Sequence, residues 1–137
     1  MTRPRPATSV VALGQMAVVA AVAAALFLVA VAMMTDRPSF VSELTVVNPA
    51  VYKLNVDVSG DGHGRLDLGA VRRETTSTYE RVIDQGDTWV FRFSYGGVTG
   101  GEISVPRARL EADGWRVTVP GDIGERLRLA GLRPSAP

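Results

Sequence analysis

The chain has 137 residues, with 15 Lys and Arg against 14 Asp and Glu, and it contains no cysteine. From Asp36 onward there are 13 basic and 14 acidic side chains, and this balance does not suggest a nucleic-acid surface, which would need clustered excess positive charge. The lack of cysteine excludes disulfides, thiolate metal sites and a cysteine nucleophile.

Residues 10–34 form a run of 25 residues without a charge, rich in Ala, Val, Leu and Phe. A bilayer core needs roughly 20 such residues as a helix, which also satisfies its own backbone hydrogen bonds in lipid. The run predicts a transmembrane helix over 10–34 after a tail at 1–9. A cleaved signal peptide is the alternative, because Ala30-Val31-Ala32 fits a cleavage pattern. Signal-peptide apolar regions are shorter, about 7–15 residues, and this favours an uncleaved anchor.

The charges around this run predict its orientation. Arg3 and Arg5 precede it, whereas on the far side Arg37 is followed by no base until Lys53. Positive charge is retained in the cytoplasm, so we expect a cytoplasmic N-terminus and an extracytoplasmic C-terminal domain on the plasma membrane. Arg supplies 14 of the 15 basic side chains, a bias typical of a GC-rich bacterial genome.

Small residues repeat along one side of the predicted span. Ala17, Ala21 and Ala25 follow at four-residue spacing. Such rows let two helix backbones approach closely in lipid. The row predicts a face for a membrane-protein partner or a second copy of this chain.

After a linker at 35–42, the continuous apolar run gives way to segments in which apolar and polar residues alternate. Leu54, Val56 and Val58 alternate with polar residues, and Trp89, Phe91 and Phe93 do the same. Alternation of this kind indicates half-buried strands, and the aromatic set is the expected centre of the core. Glycine and Asn/Asp turn signals separate the candidate strands. We expect seven strands, at 43–47, 53–59, 65–71, 75–83, 89–95, 102–105 and 115–119.

This pattern predicts a small mainly-β domain over 43–132, either an antiparallel β-sandwich of immunoglobulin-like size or a barrel. Leu110 is expected on a short helical turn ending at Gly114. A C-terminal helix is predicted at 123–130, capped by Asp122, ended by Gly131, and facing the core with Leu127 and either Leu129 or Ala130. Residues 133–137 are expected to be flexible.

The segment from Asp57 to Gly62 resembles the first half of a calcium loop. Asp57, Ser59 and Asp61 offer oxygens, but Leu68 stands where the loop needs its twelfth ligand, a bidentate Glu. A glycine-rich hairpin tip is therefore the favoured interpretation. His63, the only histidine, lies in the same turn and is interpreted as a polar loop residue.

Three other features are candidate sites. Asp84 and Asp87 flank Gly86 and are expected to serve turn geometry. The glycine pairs at 96–97 and 100–101 are expected in loops. Arg72-Arg73, together with Arg81, form a candidate basic patch for lipid headgroups or an acidic partner, although exposed arginines are usually only surface.

The sequence contains no recognisable catalytic constellation, metal site or cofactor motif. We therefore expect a non-enzymatic, single-pass membrane protein without a cofactor, whose outer β domain is an interaction or accessory subunit of a larger membrane complex. The alternative is a membrane-anchored module that binds a small ligand such as a lipid, glycan or peptide.

Overall fold

A computed structural model describes residues 18–29 and 38–136 of the chain. The chain divides into two compact units, Met1–Arg37 and Pro38–Pro137. The predicted tail, the ends of the predicted span with Ala17, the possible cleavage pattern and the first three residues of the predicted linker, 35–37, lie outside the described residues.

The first unit is described over residues 18–29, which form helix α1. All side chains of this segment, including Ala21 and Ala25, are exposed within the chain. None of the helices in the described parts of the chain is long and apolar enough to cross a membrane.

The second unit is mainly β, with two short helices, as the sequence predicts. Seven strands and helices α2 and α3 follow in the order β1 Phe40–Asn48, β2 Leu54–Gly60, β3 Leu66–Val71, β4 Thr75–Ile83, β5 Thr88–Tyr95, β6 Val98–Pro106, α2 Arg107–Ala112, β7 Arg116–Thr118 and α3 Asp122–Leu129. The first strand begins at Phe40, three positions before the predicted start, and it pairs from its first residue with Ile83.

The strands form two sheets, of order β4-β1-β7 and β3-β2-β5-β6. All neighbouring strands are antiparallel except β1 and β7, which are parallel. The expectation of a purely antiparallel domain is therefore wrong at this edge. A parallel pair needs a crossover, and β7 follows β6 through helix α2 before it reaches β1.

The two sheets enclose one hydrophobic core. Trp89, Phe91 and Phe93 have no exposed surface, which confirms the aromatic face predicted from their spacing. Trp89 also packs edge-to-face on Trp115, with ring centroids 5.5 Å apart. The core is completed by aliphatic residues from both sheets and by Leu110, Ile123 and Leu127 of the helices.

Helices α2 and α3 both end in a Schellman motif, which accounts for the glycines that follow them, Gly114 and Gly131. The Trp115 amide donates to the Leu110 carbonyl, and the Gly114 amide donates to Glu111. The C-terminal helix ends in the same way at Gly131, whose φ is 83°. The predicted ends at Gly114 and Gly131 are therefore confirmed.

Three details of α3 differ from the prediction. Asp122 lies inside the helix and pairs with Arg126, and no side chain caps the helix at Gly121. Leu129 is 71% exposed and Ala130 is also exposed, so neither faces the core. Ile123 and Leu127 are the buried pair, because residues four apart share one helix face.

Gly100 and Gly101 lie in strand β6 and not in a loop, contrary to expectation. The register of β5 and β6 pairs Phe93 with Gly101 and Ser94 with Thr99, which leaves Gly100 as the extra residue of a bulge. A Cβ at Gly100 would lie 2.8 Å from Ile123 Cγ2. The glycine thus permits the close approach of α3 to the sheet.

Candidate anion-binding cleft

A basic cleft opens at one end of the β domain. It has a volume of about 580 Å³ and is lined by Lys53, Arg72, Arg73, Thr75, Ser135 and Ala136. Lys53 and Arg72 are exposed, whereas Arg73 is partly buried. The cleft therefore presents three cationic side chains to solvent together with two hydroxyl groups.

Asn48, a buried residue at the end of β1, fixes the backbone beneath the cleft. Its Nδ2 lies 2.8 Å from the carbonyl oxygen of Tyr52, 3.2 Å from that of Val71 and 3.0 Å from that of Arg72. Its Oδ1 accepts a hydrogen bond from the Ala50 amide at 3.0 Å. One buried amide thus ties the β1–β2 turn to the end of β3, which brings Lys53 and Arg72 to the same place.

The C-terminal segment forms the other wall of the cleft. The Lys53 amide donates to Ser135 Oγ at 2.7 Å, and the Ser135 amide donates to the Val51 carbonyl at 3.2 Å. Arg73 Nη1 donates to the Ser135 carbonyl at 3.0 Å. Through these bonds, Ser135 completes the backbone hydrogen bonds of the β1–β2 turn.

Tyr52 supports this wall from inside the domain. Its ring is 1% exposed and packs edge-to-face on Tyr95, with centroids 5.3 Å apart. Its hydroxyl donates to the Leu132 carbonyl at 3.1 Å. The segment after α3 is therefore held at Leu132 as well as at Ser135.

The cations of the cleft differ from most other cations of the domain because they form no ion pair with a carboxylate of residues 38–136. Six arginines of the described residues form ion pairs with carboxylates, namely Arg65, Arg92, Arg107, Arg109, Arg126 and Arg128. Lys53, Arg72 and Arg73 form no ion pair with any carboxylate that the structure describes. Glu74 follows Arg73 directly, but its exposed side chain makes no such pair either. A site of this kind attracts an anion from solution.

The register of the first sheet places the cleft far from the residue at which the domain begins. Phe40, two residues after Pro38, pairs with Ile83, whereas Asn48 at the other end of β1 pairs with Thr75. Thr75 lines the cleft. A strand of nine residues spans roughly 27–30 Å, so the cleft and Pro38 lie at opposite ends of the domain.

The predicted basic patch is therefore only partly formed. Arg72 and Arg73 share the cleft, but Arg81 lies near the opposite end of β4, where its guanidinium stands 5.3 Å from the ring centroid of Phe40. Sequence reasoning missed Lys53 and Ser135 as members of the site. No local signal could have found Ser135, since it lies 82 positions from Lys53 along the chain.

The candidate calcium residues are used for other contacts. Asp57 lies in β2 and pairs with Arg65, and Asp61 Oδ2 accepts a hydrogen bond from the Thr88 amide at 3.1 Å. No group of three or more metal-ligating side chains occurs among residues 18–29 and 38–136. His63 is an exposed loop residue.

Asp84 serves turn geometry, as predicted, and also has a second role. Its Oδ1 accepts the Gly86 amide at 3.0 Å, while its Oδ2 accepts bonds from Arg107 and from the Ser39 hydroxyl. Burial alone would raise the pKa of Asp84, but the hydrogen bonds from Arg107, Gly86 and Ser39 lower it. The carboxylate therefore fastens the start of the domain to α2.

A second cleft lies between β6, α2 and β7, with a volume of about 600 Å³. Its lining includes Arg109, Asp113 and Arg116. Arg109 is already paired with Asp113, which leaves Arg116 as the cation without a described partner. This cleft is less suited to an anion than the cleft at Lys53.

Comparison with known proteins finds no significant match: no family model, no curated protein and no solved structure is similar to this chain.

Proposed function

We propose that this protein is a membrane-anchored, non-enzymatic subunit that serves a larger membrane complex through its β domain. The observation that carries the proposal is the charge-free run at 10–34, followed by a self-contained β domain from Pro38. A run of this length and composition suits a bilayer core. In the proposal, residues 10–34 are an uncleaved transmembrane helix.

The charge distribution supports a domain on the outer face of a bacterial plasma membrane. Arg3 and Arg5 lie on the side that positive charge keeps in the cytoplasm. The domain beyond Pro38 then works outside the cell.

The contacts of the acidic residues support a binding role rather than a catalytic one. Asp57, Asp61 and Asp84 are engaged by Arg65, by the Thr88 amide and by Arg107. These contacts hold turns and sheet ends together. The cations of the cleft form no ion pair with a carboxylate of residues 38–136 and are available for an external partner.

The predicted span contributes a second contact in this proposal. Ala17, Ala21 and Ala25 form a row suited to close packing against another helix. Replacing all three with Leu should preserve insertion but block that approach.

The experiment is native mass measurement of the protein extracted in mild detergent. We expect the wild type in a discrete complex with another membrane protein, and we expect the triple Leu variant without it. Leu at Val18, Val22 and Val29 is the matched control and should retain the complex. A lone wild-type monomer would contradict the proposal and favour the second candidate, an anchored module that binds a small ligand, which the cleft at Lys53 independently supports.

A further inference from the structure

The cleft at Lys53, Arg72 and Arg73 carries an inference about what the domain binds. We propose that it receives the carboxylates of an acidic segment from a partner protein. This inference rests on the proposed function, because it names the partner chemistry of the outer domain.

The chemistry of the side chains sets the class of ligand. A guanidinium presents a planar fork of N–H donors that fits a carboxylate with two parallel hydrogen bonds. Arg72 has no ion-pair partner in the described part of the chain. Arg73 donates a hydrogen bond from Nη1 to the Ser135 carbonyl, and this bond orients the rest of its guanidinium. Lys53 adds a third positive charge. An anionic ligand thus meets one preoriented cation and two adaptable ones.

The size of the cleft calls for more than a single ion. Its volume of about 580 Å³ falls within the range of roughly 300–1,000 Å³ found for sites that hold drug-sized ligands. Thr75 and Ser135 supply hydroxyl groups that can bond a peptide backbone or side chain. A short segment with two or more carboxylates matches both the volume and the three positive charges.

The lining of the cleft separates an acidic protein from a nucleic acid. None of its lining residues is aromatic, and three cations are too few for a nucleic-acid footprint, which relies on extended positive charge and on base stacking. Carboxylates of a partner protein remain the ligand that fits best.

The test uses the full chain in a non-ionic detergent and a fluorescent peptide of consecutive glutamates, with binding followed by anisotropy. We expect saturable binding that weakens as salt is raised, and no binding of the same peptide made of glutamines. The double variant Lys53→Gln/Arg72→Gln should weaken binding by about tenfold or more. Arg73 is left intact because it also holds the C-terminal segment.

The matched control is Arg81→Gln/Arg116→Gln, which removes the same charge from exposed arginines outside the cleft. It should leave the affinity within a factor of about two. An equal loss of peptide affinity in the two double variants, or no binding of the peptide by the wild type, would overturn the inference. Tighter binding of inorganic polyphosphate through the same two residues would also overturn it, in favour of a phosphate ligand.

This outcome is separable from that of the proposed function. Peptide binding is measured on the purified chain and does not depend on a membrane partner. A native complex that persists without glutamate binding overturns only the cleft assignment. Glutamate binding by a chain that forms no native complex overturns only the accessory-subunit proposal.

Discussion

Phe91 occupies the middle of β5 and has no exposed surface, whereas its neighbour Arg92 points away from the core and pairs with Glu102 on β6. Phe91→Ala should lower the free energy of unfolding by about 3–5 kcal/mol, since it removes a buried ring and leaves a cavity. Arg92→Ala removes a surface ion pair and should cost less than about 1 kcal/mol. Chemical denaturation of the two variants gives both values, and equal losses would contradict the assigned faces of β5.

The carboxylate of Asp84 gives a second prediction at the scale of the residue. Its side chain is 8% exposed and is bonded by Arg107 and Ser39. Asp84→Asn should cost about 2 kcal/mol or more at neutral pH, because it removes the buried carboxylate from the Arg107 guanidinium, which then keeps only its more exposed partner Glu111. Thermal unfolding measures this loss. Asp113→Asn is the control, since Asp113 forms an exposed pair with Arg109 and should matter little.

The pH dependence of the same pair has a defined sign. The pKa of Asp84 is lower in the folded protein than its ordinary value of 3.8, so the ionised carboxylate stabilises the fold above that value. This contribution is lost as the pH falls through the lower, folded pKa. The stability difference between wild type and Asp84→Asn should therefore shrink in acid, and a difference that grows in acid would contradict the assigned bonds.

At the scale of the element, the packing of α3 on β6 depends on Gly100. A Cβ there would meet Ile123 Cγ2 at 2.8 Å and Leu127 Cγ at 3.2 Å. Gly100→Ala should therefore push the helix outward and cost about 1–3 kcal/mol in thermal unfolding.

Gly121 at the start of α3 is the matched control for this change. It has an ordinary φ of −64° and no atom within 4 Å of an added Cβ. Gly121→Ala should be neutral or stabilise by up to about 1 kcal/mol, because alanine restricts only the unfolded chain. If Gly100→Ala and Gly121→Ala lower the free energy of unfolding equally, the packing of α3 on β6 does not depend on the close contact at Gly100.

The elements also show where sequence reasoning succeeds and where it stops. The alternation of apolar and polar residues is a local signal with period two. It predicts β5 and its buried face because successive side chains of a strand lie on opposite sides of the sheet. The parallel pairing of β7 with β1 and the packing of α3 against Gly100 depend on partners distant in sequence. The cleft is the clearest case: Arg72-Arg73 stands out as a basic pair, but its meeting with Lys53 and Ser135 depends on the buried amide of Asn48 and on the path of the chain after α3.

At the scale of the whole molecule, the proposed topology makes a prediction that needs no knowledge of the partner. The chain contains no cysteine, so a single introduced thiol gives a clean signal. His63 is exposed in the loop after β2, and His63→Cys should react with an impermeant maleimide in intact cells. Thr8→Cys, in the basic tail before the charge-free run, should react only after lysis, because the positive side is kept in the cytoplasm.

The mass of the membrane-bound protein separates an anchor from a cleaved signal peptide in the same cells. An uncleaved anchor retains Arg3 and Arg5 and stays in the membrane fraction through residues 10–34. Cleavage after Ala32 would release a soluble form starting at Met33, in which the domain works without its anchor. Labelling of Thr8→Cys in intact cells, with His63→Cys protected until lysis, would reverse the orientation and place the basic cleft in the cytoplasm, where its acidic partner would have to be sought instead.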